Sequence, residues 1–264
     1  MNYIESRTND KIKEVSFLQD RKERESKRLF FFEGIHLFDE FIKSGHIPVA
    51  LFATEAAYDK YRLALSAFDS CLNIVSESVY DKITCEKAPQ GVLCVSAYLD
   101  NIRTDITASP GGVILESVRD AGNLGGIIRT AASLGVNGIT VSRDCADLYS
   151  PKTVRAAMGA LFSVEIALTE SVPKTVRSLV SAGNNVFAAC LYGETVSLGT
   201  FDIQKNDTFV LGNEGVGVTE ETASVCTKRV IIPMSGKTES LNVAAASAVI
   251  MWEMTRTALF KERG

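Results

Sequence analysis

The 264-residue sequence predicts an α/β fold built on a parallel sheet and arranged in two domains. Three observations predict it. Short apolar runs alternate with helix-period segments along nearly the whole chain. In the second half several of those runs lead directly into glycine-bearing loops, as the strands of parallel sheets do. A stretch rich in polar and chain-breaking residues, Asn101 to Gly112, separates two parts of different texture and reads as an interdomain linker.

Residues 1–33 are dense in charge of both signs, including Arg7, Lys11, Lys13, Arg21, Lys22, Arg24, Lys27 and Arg28. They read either as a solvated helix with i,i+4 ion pairs or as a surface for phosphate. Phe30 to Phe32 is a short strand, Ile35 to Ser44 an amphipathic helix closed by Gly45, and Pro48 to Ala53 a second strand. Glu55 to Phe68 reads as a helix, and Leu72 to Val75 and Gly91 to Ala97 as strands, completing a small α/β domain. Beyond the linker come a strand at Val113 to Glu116, a helix at Leu124 to Leu134 ended by Gly135, and a strand at Gly138 to Ser142. Helices at Pro151 to Leu161 and Thr175 to Ala182, and strands at Asn185 to Leu191 and Thr208 to Leu211, continue the pattern. The last unit is a strand at Val230 to Ile232, a polar turn from Ser235 to Asn242, and an alanine-rich helix from Val243 to Trp252. A loop from the carboxyl end of a parallel strand to a helix N-terminus is a ligand position in open α/β sheets, and Ser240 or Asn242 suits the cap.

Composition excludes several function classes. Net charge is −4, so the whole molecule is no basic nucleic-acid binder and any such binding needs a local patch. No apolar run nears the roughly 20 residues of a membrane span. The N-terminus lacks a signal peptide's apolar core, and the six cysteines form no C-x-x-C pair, which together suggest a reducing cytoplasm. With only His36 and His46, histidine catalysis and metal chemistry are not expected. Gly236-Lys237-Thr238 imitates the end of a P-loop, but position 231 is Ile where the first glycine belongs. The loop after Val113 to Glu116 lacks the G-x-G-x-x-G spacing, so a nucleotide-binding oxidoreductase is also excluded.

Three loops in combination are specific. They are Asn123-Leu-Gly-Gly-Ile-Ile-Arg129, Leu211-Gly-Asn-Glu214-Gly-Val-Gly217, and Ile232-Pro-Met234-Ser-Gly-Lys-Thr-Glu-Ser240-Leu241-Asn242. In this order they resemble the motifs of the SpoU (TrmH-like) branch of the SPOUT methyltransferases, over residues 113–258. The run Lys27 to Ile35 resembles the L30e-like substrate-binding domain that accompanies many members. The resemblance implies an L30e-like RNA-binding domain over residues 1–107 and a methyltransferase domain over 108–264. It also implies a parallel sheet flanked by helices, a deep C-terminal trefoil knot, a homodimer, and transfer of a methyl group from S-adenosylmethionine to a ribose 2′-hydroxyl of RNA, ribosomal rather than transfer RNA. Carried over by motif, Leu211, Gly212, Ile232, Met234 and Leu241 are the cofactor-binding residues. Asn123, Arg129, Glu214, Ser240 and Asn242 are the catalytic set, with no metal required. Arg7, Lys11, Arg21, Lys27, Arg28, Lys152 and Arg155 are candidates for RNA phosphate. Ala157 stands where many members carry serine. A non-catalytic RNA-binding protein on the same fold is the alternative, and the intact catalytic set argues against it.

Overall fold

The computed structural model describes residues 2–104, 108–136 and 138–261, and the side chains only as far as Arg256. Packing divides the chain into two units: residues 1–99 with 147–162, and residues 100–146 with 163–264. Residues 105–107, where the sequence places the domain boundary, lie outside the described residues. A single cut at 107/108 does not describe this packing, because residues 147–162 belong with the first unit.

In the first unit, strand β1 (Asn2–Ile4) precedes helices α1 (Asp10–Phe17) and α2 (Arg21–Lys27). The charged N-terminus is therefore two short helices and a strand, not one helix. Asn9 and Asp20 cap the two helices, their side chains accepting from the amides of Lys11 and Lys22. The predicted i,i+4 pairing is present between Arg21 and Glu25 at 2.7 Å. Strand β2 (Leu29–Glu33), helix α3 (Ile35–Lys43), strand β3 (Ala50–Thr54), and helices α4 (Glu55–Lys60) and α5 (Arg62–Leu65) follow. Then come β4 (Leu72–Val75), α6 (Glu77–Ile83), which sequence periodicity did not reveal, and β5 (Val92–Ala97). The sheet order is β1-β4-β3-β5-β2, with β2 and β5 antiparallel.

Both faces of β2 are covered, which explains three consecutive buried phenylalanines. Phe31 points into a cluster with Ile12, Val15 and Leu18. Phe30 and Phe32 take the opposite face, as strand alternation requires. There Tyr149 lies 4.8 Å from Phe30 and Phe162 5.1 Å from Phe32, ring centre to ring centre. Helix α8 (Pro151–Ala157) lies in this returning segment, and Ala157 is buried there. An ion pair anchors the segment. Arg24 is only 3% exposed, pairs with Asp147 at 2.5 Å, and donates to the carbonyls of Leu18 and Gln19. A buried arginine with all these partners offsets its desolvation; without Asp147 it would not.

The second unit begins with β6 (Ile102–Arg103), a strand inside the stretch read as a linker, which pairs with β9 (Ile166–Thr169). Its other elements are β7 (Val113–Leu115), α7 (Ala121–Leu134), β8 (Ile139–Ser142), α9 (Val172–Ser181), β10 (Val186–Ala189), β11 (Thr195–Ser197), β12 (Thr208–Leu211), α10 (Glu220–Val225), β13 (Lys228–Ile231) and α11 (Val243–Lys261). They form an eight-stranded sheet in the order β11-β13-β10-β12-β7-β8-β9-β6, every described pairing parallel. Its central strands are buried on both faces, which is why they read as continuous apolar runs. From β7 the chain steps to β8, whereas β12 lies on the other side of β7. The loops leaving β7 and β12 therefore diverge, and the carboxyl ends of those strands form a topological switch point.

Helices α7 and α11 pack on one another. The contact is close because small residues meet there: a Cβ placed on Gly126 would stand 3.8 Å from Ala244 Cβ.

No helix among the described residues is long and apolar enough to cross a membrane. All six cysteines are free; Cys94, Cys145 and Cys190 are buried as expected of small apolar side chains, but Cys85 is exposed.

Candidate active site

Three loops, leaving the carboxyl ends of β10, β12 and β13, the last of them running into α11, line a cavity of about 180 Å³ within the second unit. All five residues assigned to the cofactor from sequence, Leu211, Gly212, Ile232, Met234 and Leu241, line it. So do Glu214 and Ser240. Sequence reasoning missed the loop after β10, where Cys190, Leu191 and Tyr192 form another part of the wall. Its signal was available: this loop, like the others, follows the end of a buried strand. Tyr192 is tied in place, its hydroxyl donating to the Val218 carbonyl at 2.6 Å. The Arg229 guanidinium covers its ring at 5.0 Å and pairs with Glu220 at 2.5 Å.

The loop from Gly212 to Gly217 folds back on itself. Asn213 and Gly217 exchange backbone hydrogen bonds, and Asn213 Oδ1 accepts from the amides of Gly215 and Val216 at 2.9 and 3.2 Å. This closure leaves no room at Gly212, where a Cβ would come within 2.0 Å of Gly217 C and 2.1 Å of Val218 N. Two further contacts hold the loop to its neighbour after β7. Asn213 Nδ2 donates to the Ser117 carbonyl at 2.8 Å, and the buried Glu116 carboxylate accepts from Thr219 N and Oγ1 at 2.8 and 2.9 Å and from the Thr222 hydroxyl. Ser117 itself sits at φ 58°, held by Ser142 Oγ at 2.9 Å and by its own hydroxyl donating to Asp144 at 2.5 Å. Left-handed backbone at a serine is strained, and here surrounding hydrogen bonds over-determine it.

Glu214 joins the cavity to the N-terminus of α7. Its carboxylate accepts from Asn123 Nδ2 at 3.0 Å, Asp120 N at 3.2 Å and Arg119 N at 3.3 Å. Partial burial works against its charge, but the Asn123 side chain and these amides outweigh burial and hold the carboxyl below the usual glutamate range. Asn123 passes the chain on, its Oδ1 accepting from Asn242 Nδ2 at 3.1 Å. Asn242 then caps α11, with Oδ1 accepting from the amides of Ala244 and Ala245 at 2.9 and 3.4 Å. Of the two caps read from sequence, the structure uses Asn242. One continuous hydrogen-bonded line thus connects Glu214, Asn123 and Asn242, and Ser240 stands at the cavity beside it.

Arg129 does not join that line. It is exposed on α7, and its guanidinium makes no hydrogen bond or ion pair among the described residues. Six residues past Asn123, it lies about 9 Å along the helix and roughly 120° around it. An exposed, unpaired guanidinium is available to an anion from solution.

The seven basic residues named as RNA candidates all fall in the first unit. Lys11 donates to Asn73 at 3.1 Å, Arg155 pairs with Glu86, Lys27 pairs with Glu23 at 3.7 Å, and Arg21 pairs with Glu25. Arg7 is exposed, with its carbonyl accepting from Lys82 at 2.7 Å. Arg28 stacks on Tyr98, its guanidinium carbon 4.7 Å from the ring centre.

Glu214 supports a pH-dependent prediction. Because its folded-state pKa is depressed, it contributes stability that is present in full above the unfolded glutamate value of about 4.3 and is lost as pH falls through the folded value. The melting-temperature advantage of the native chain over Glu214→Gln is therefore expected at neutral pH and should vanish on acidification. An advantage that persists in strong acid would show that the hydrogen bonds, not the charge, supply it.

Comparison with known proteins places this arrangement. Residues 112–252 match the model of the SpoU rRNA Methylase family, and residues 9–94 match an MRM3-like substrate binding domain. The chain is 29% identical over 258 residues to the 23S rRNA (guanosine(2553)-2′-O)-methyltransferase RlmP of Bacillus subtilis, covering 96% of this chain and 99% of that protein. An AdoMet-bound rRNA methyltransferase structure from Sinorhizobium meliloti is 31% identical with a TM-score of 0.80, over 97% of this chain and 98% of that one. The SpoU methyltransferase AviRb from Streptomyces viridochromogenes, in complex with AdoMet, is 25% identical with a TM-score of 0.83, over 95% and 98%.

Proposed function

Because the chain belongs to the SpoU rRNA methylase family, we propose that it transfers the methyl group of S-adenosylmethionine to a ribose 2′-hydroxyl of ribosomal RNA. One observation carries the reading: all five motif-assigned cofactor residues line a single cavity that also holds Glu214, the start of the hydrogen-bonded line to Asn123 and Asn242. The cavity suits the cofactor. Its lining combines apolar residues such as Leu211, Val230 and Met234 with tight glycine-bearing loops, and it includes Glu214, an acidic residue near which a cationic centre is favourable. Leu211, Gly212, Ile232, Met234 and Leu241 would hold the cofactor, which when bound supplies an already activated methyl group.

The protein's own residues then have restricted tasks. Asn123, Glu214 and Asn242 fix the loops after β7, β12 and β13 against one another, so that acceptor and donor meet in one orientation. Arg129 clamps an RNA phosphate and stabilises charge developing on the 2′-oxygen. It is not assigned as the base, since guanidinium is not deprotonated in proteins. The unit of residues 1–99 and 147–162 would bind the RNA and the unit of residues 100–146 and 163–264 would carry the chemistry in the cytoplasm, with phosphate contacts drawn from Arg7, Lys11, Arg21, Lys27, Arg28, Lys152 and Arg155. Relatives named for 23S rRNA support that substrate class.

The trefoil knot belongs to the same proposal. The connection from β10 travels out to β11, beyond β13, before returning to β12, while the chain leaving β13 must cross back to place α11 against α7. Threading of the second path through the first would make the knot. A homodimer is supported by α11, whose exposed Ala245, Val249 and Trp252 form an apolar stripe at i, i+4 and i+7. Replacing Val249 and Trp252 together by glutamate is expected to leave the fold intact, since they are 39% and 42% exposed, and to give a monomer in light scattering. An unchanged dimer would place the interface elsewhere.

The activity is tested with tritiated S-adenosylmethionine and total RNA from cells lacking the protein. Label in an alkali-resistant dinucleotide of ribosomal RNA establishes ribose methylation. Label on a base would overturn the acceptor, and cofactor binding with no transfer to any RNA would favour the non-catalytic RNA binder.

A further inference from the structure

The first unit contains a column of stacked side chains that ends in an arginine. Phe30 and Tyr149 are buried, their ring centres 4.8 Å apart. Tyr149 is fixed by accepting from Leu99 N at 2.9 Å. Tyr98 stacks on Tyr149 at 3.8 Å with the planes only 17° apart, and the Arg28 guanidinium covers the far face of Tyr98 at 4.7 Å. Tyr98 N donates to the Arg28 carbonyl at 2.9 Å, so the last two layers are also joined through the backbone.

Three features of Arg28 are unexplained by packing alone. It occupies the left-handed position that ends α2, at φ 54°, where glycine is the unstrained choice. It forms no ion pair or side-chain hydrogen bond among the described residues, although Arg21, Arg24 and Lys27 of the adjoining helix all have carboxylate partners. It is exposed, so the guanidinium face turned away from Tyr98 meets solvent. The side chain is therefore a planar cation set over the end of an aromatic column, with no ion pair or hydrogen bond to its N–H groups among the described residues.

We propose that Arg28 is a stacking platform for an unpaired base of the substrate RNA, the base adding the next layer to the column Phe30–Tyr149–Tyr98–Arg28. Guanidinium planes and aromatic rings are the surfaces on which splayed-out bases of single-stranded RNA stack. A base on the outer plane leaves the N–H edge of Arg28 directed outward to the adjoining phosphate. Tyr98 backs the cation at 4.7 Å, and that contact reduces the side-chain entropy left to be lost on binding. The proposal rests on the reading of the protein as an rRNA methyltransferase and assigns Arg28 a contact distinct from phosphate neutralisation.

The test uses unmodified large-subunit ribosomal RNA from cells lacking the protein, with the full chain and the variants Arg28→Lys and Arg28→Gly. Methyl transfer, RNA affinity across a salt series, and melting temperature are measured for each. Both variants are expected to bind roughly 5- to 150-fold more weakly, the span of one stacked base. Arg28→Lys should keep the salt dependence of the native chain, whereas Arg28→Gly should lose about one unit of slope. Arg28→Gly should melt no lower than the native chain, because glycine suits the left-handed position. Native affinity in Arg28→Lys would mean a point-charge contact with phosphate and overturn the proposal. Native affinity in both variants, with methyl transfer intact, would overturn it and leave the enzymatic reading standing. A melting point well below native in Arg28→Gly would mark the column as structural and likewise overturn it. Failure of the native chain to bind or methylate the RNA would overturn the enzymatic reading and the platform together.

Discussion

Gly212→Ala is expected to abolish S-adenosylmethionine binding and to destabilise the second unit by about 3 kcal/mol or more, the upper range for forcing atoms into a filled site. The added Cβ would stand 2.0 to 2.2 Å from three atoms of Gly217 and Val218, all of them backbone, so no rotamer change relieves it. The loop must open instead. Opening breaks the paired bonds between Asn213 and Gly217 and pulls on Glu214, whose carboxylate accepts from the amides of Arg119 and Asp120 just before α7. The variant is checked by titration calorimetry with the cofactor and by thermal melting. Wild-type affinity together with an unchanged melting temperature would show that this loop is not the rigid wall of the cofactor cavity.

Arg129→Ala should behave in the opposite way. Arg129 is exposed and unpaired, so its loss costs the folded state almost nothing, and melting temperature and cofactor affinity should be unchanged. The turnover number is expected to fall roughly 100- to 1,000-fold, the effect of removing one group that stabilises developing negative charge. Arg129→Lys should recover part of the loss through charge alone, though not the bidentate geometry. If Arg129→Ala raised KM for RNA and left the turnover number untouched, the residue would be a substrate contact without a role in the transition state.

The two variants separate what the sequence conveys from what it conceals. Gly212 and Arg129 were both legible as motif members, yet nothing in the motifs says that one is locked in backbone and the other stands free. Asn123 and Asn242 are separated by 119 positions and meet at 3.1 Å only because the chain after β13 returns to α7. The wall formed by Leu191 and Tyr192 went unread because its residue types are those of any loop, and its one signal, a place after a buried strand, is shared by loops that line no cavity. Its relevance comes from β10 lying between β12 and β13 in the sheet.

The segment 147–162 shows the same limit in packing. Its helix was read from Pro151 to Leu161; the structure begins it at Pro151, behind the Ser150 cap, and ends it at Ala157. Helical periodicity shows that a face must be covered, but not which sheet covers it. Here Phe30 and Phe32, on the outer face of β2, draw Tyr149 and Phe162 to the first unit. Arg24, read as one more surface charge, is buried for the same reason, since Asp147 arrives with that segment.

Local pattern and motif were enough to read the α/β class, the parallel sheet, the family and five residues that line one cavity. These depend on local apolar patterning and on three motifs, and both are written in consecutive positions. Which segments share a unit, which charged groups are paired, and how Glu214, Asn123 and Asn242 join into one line follow from the folded chain alone. Those outcomes depend on strand order and on burial between distant segments, and burial is a property of the folded surface that no single stretch of chain possesses.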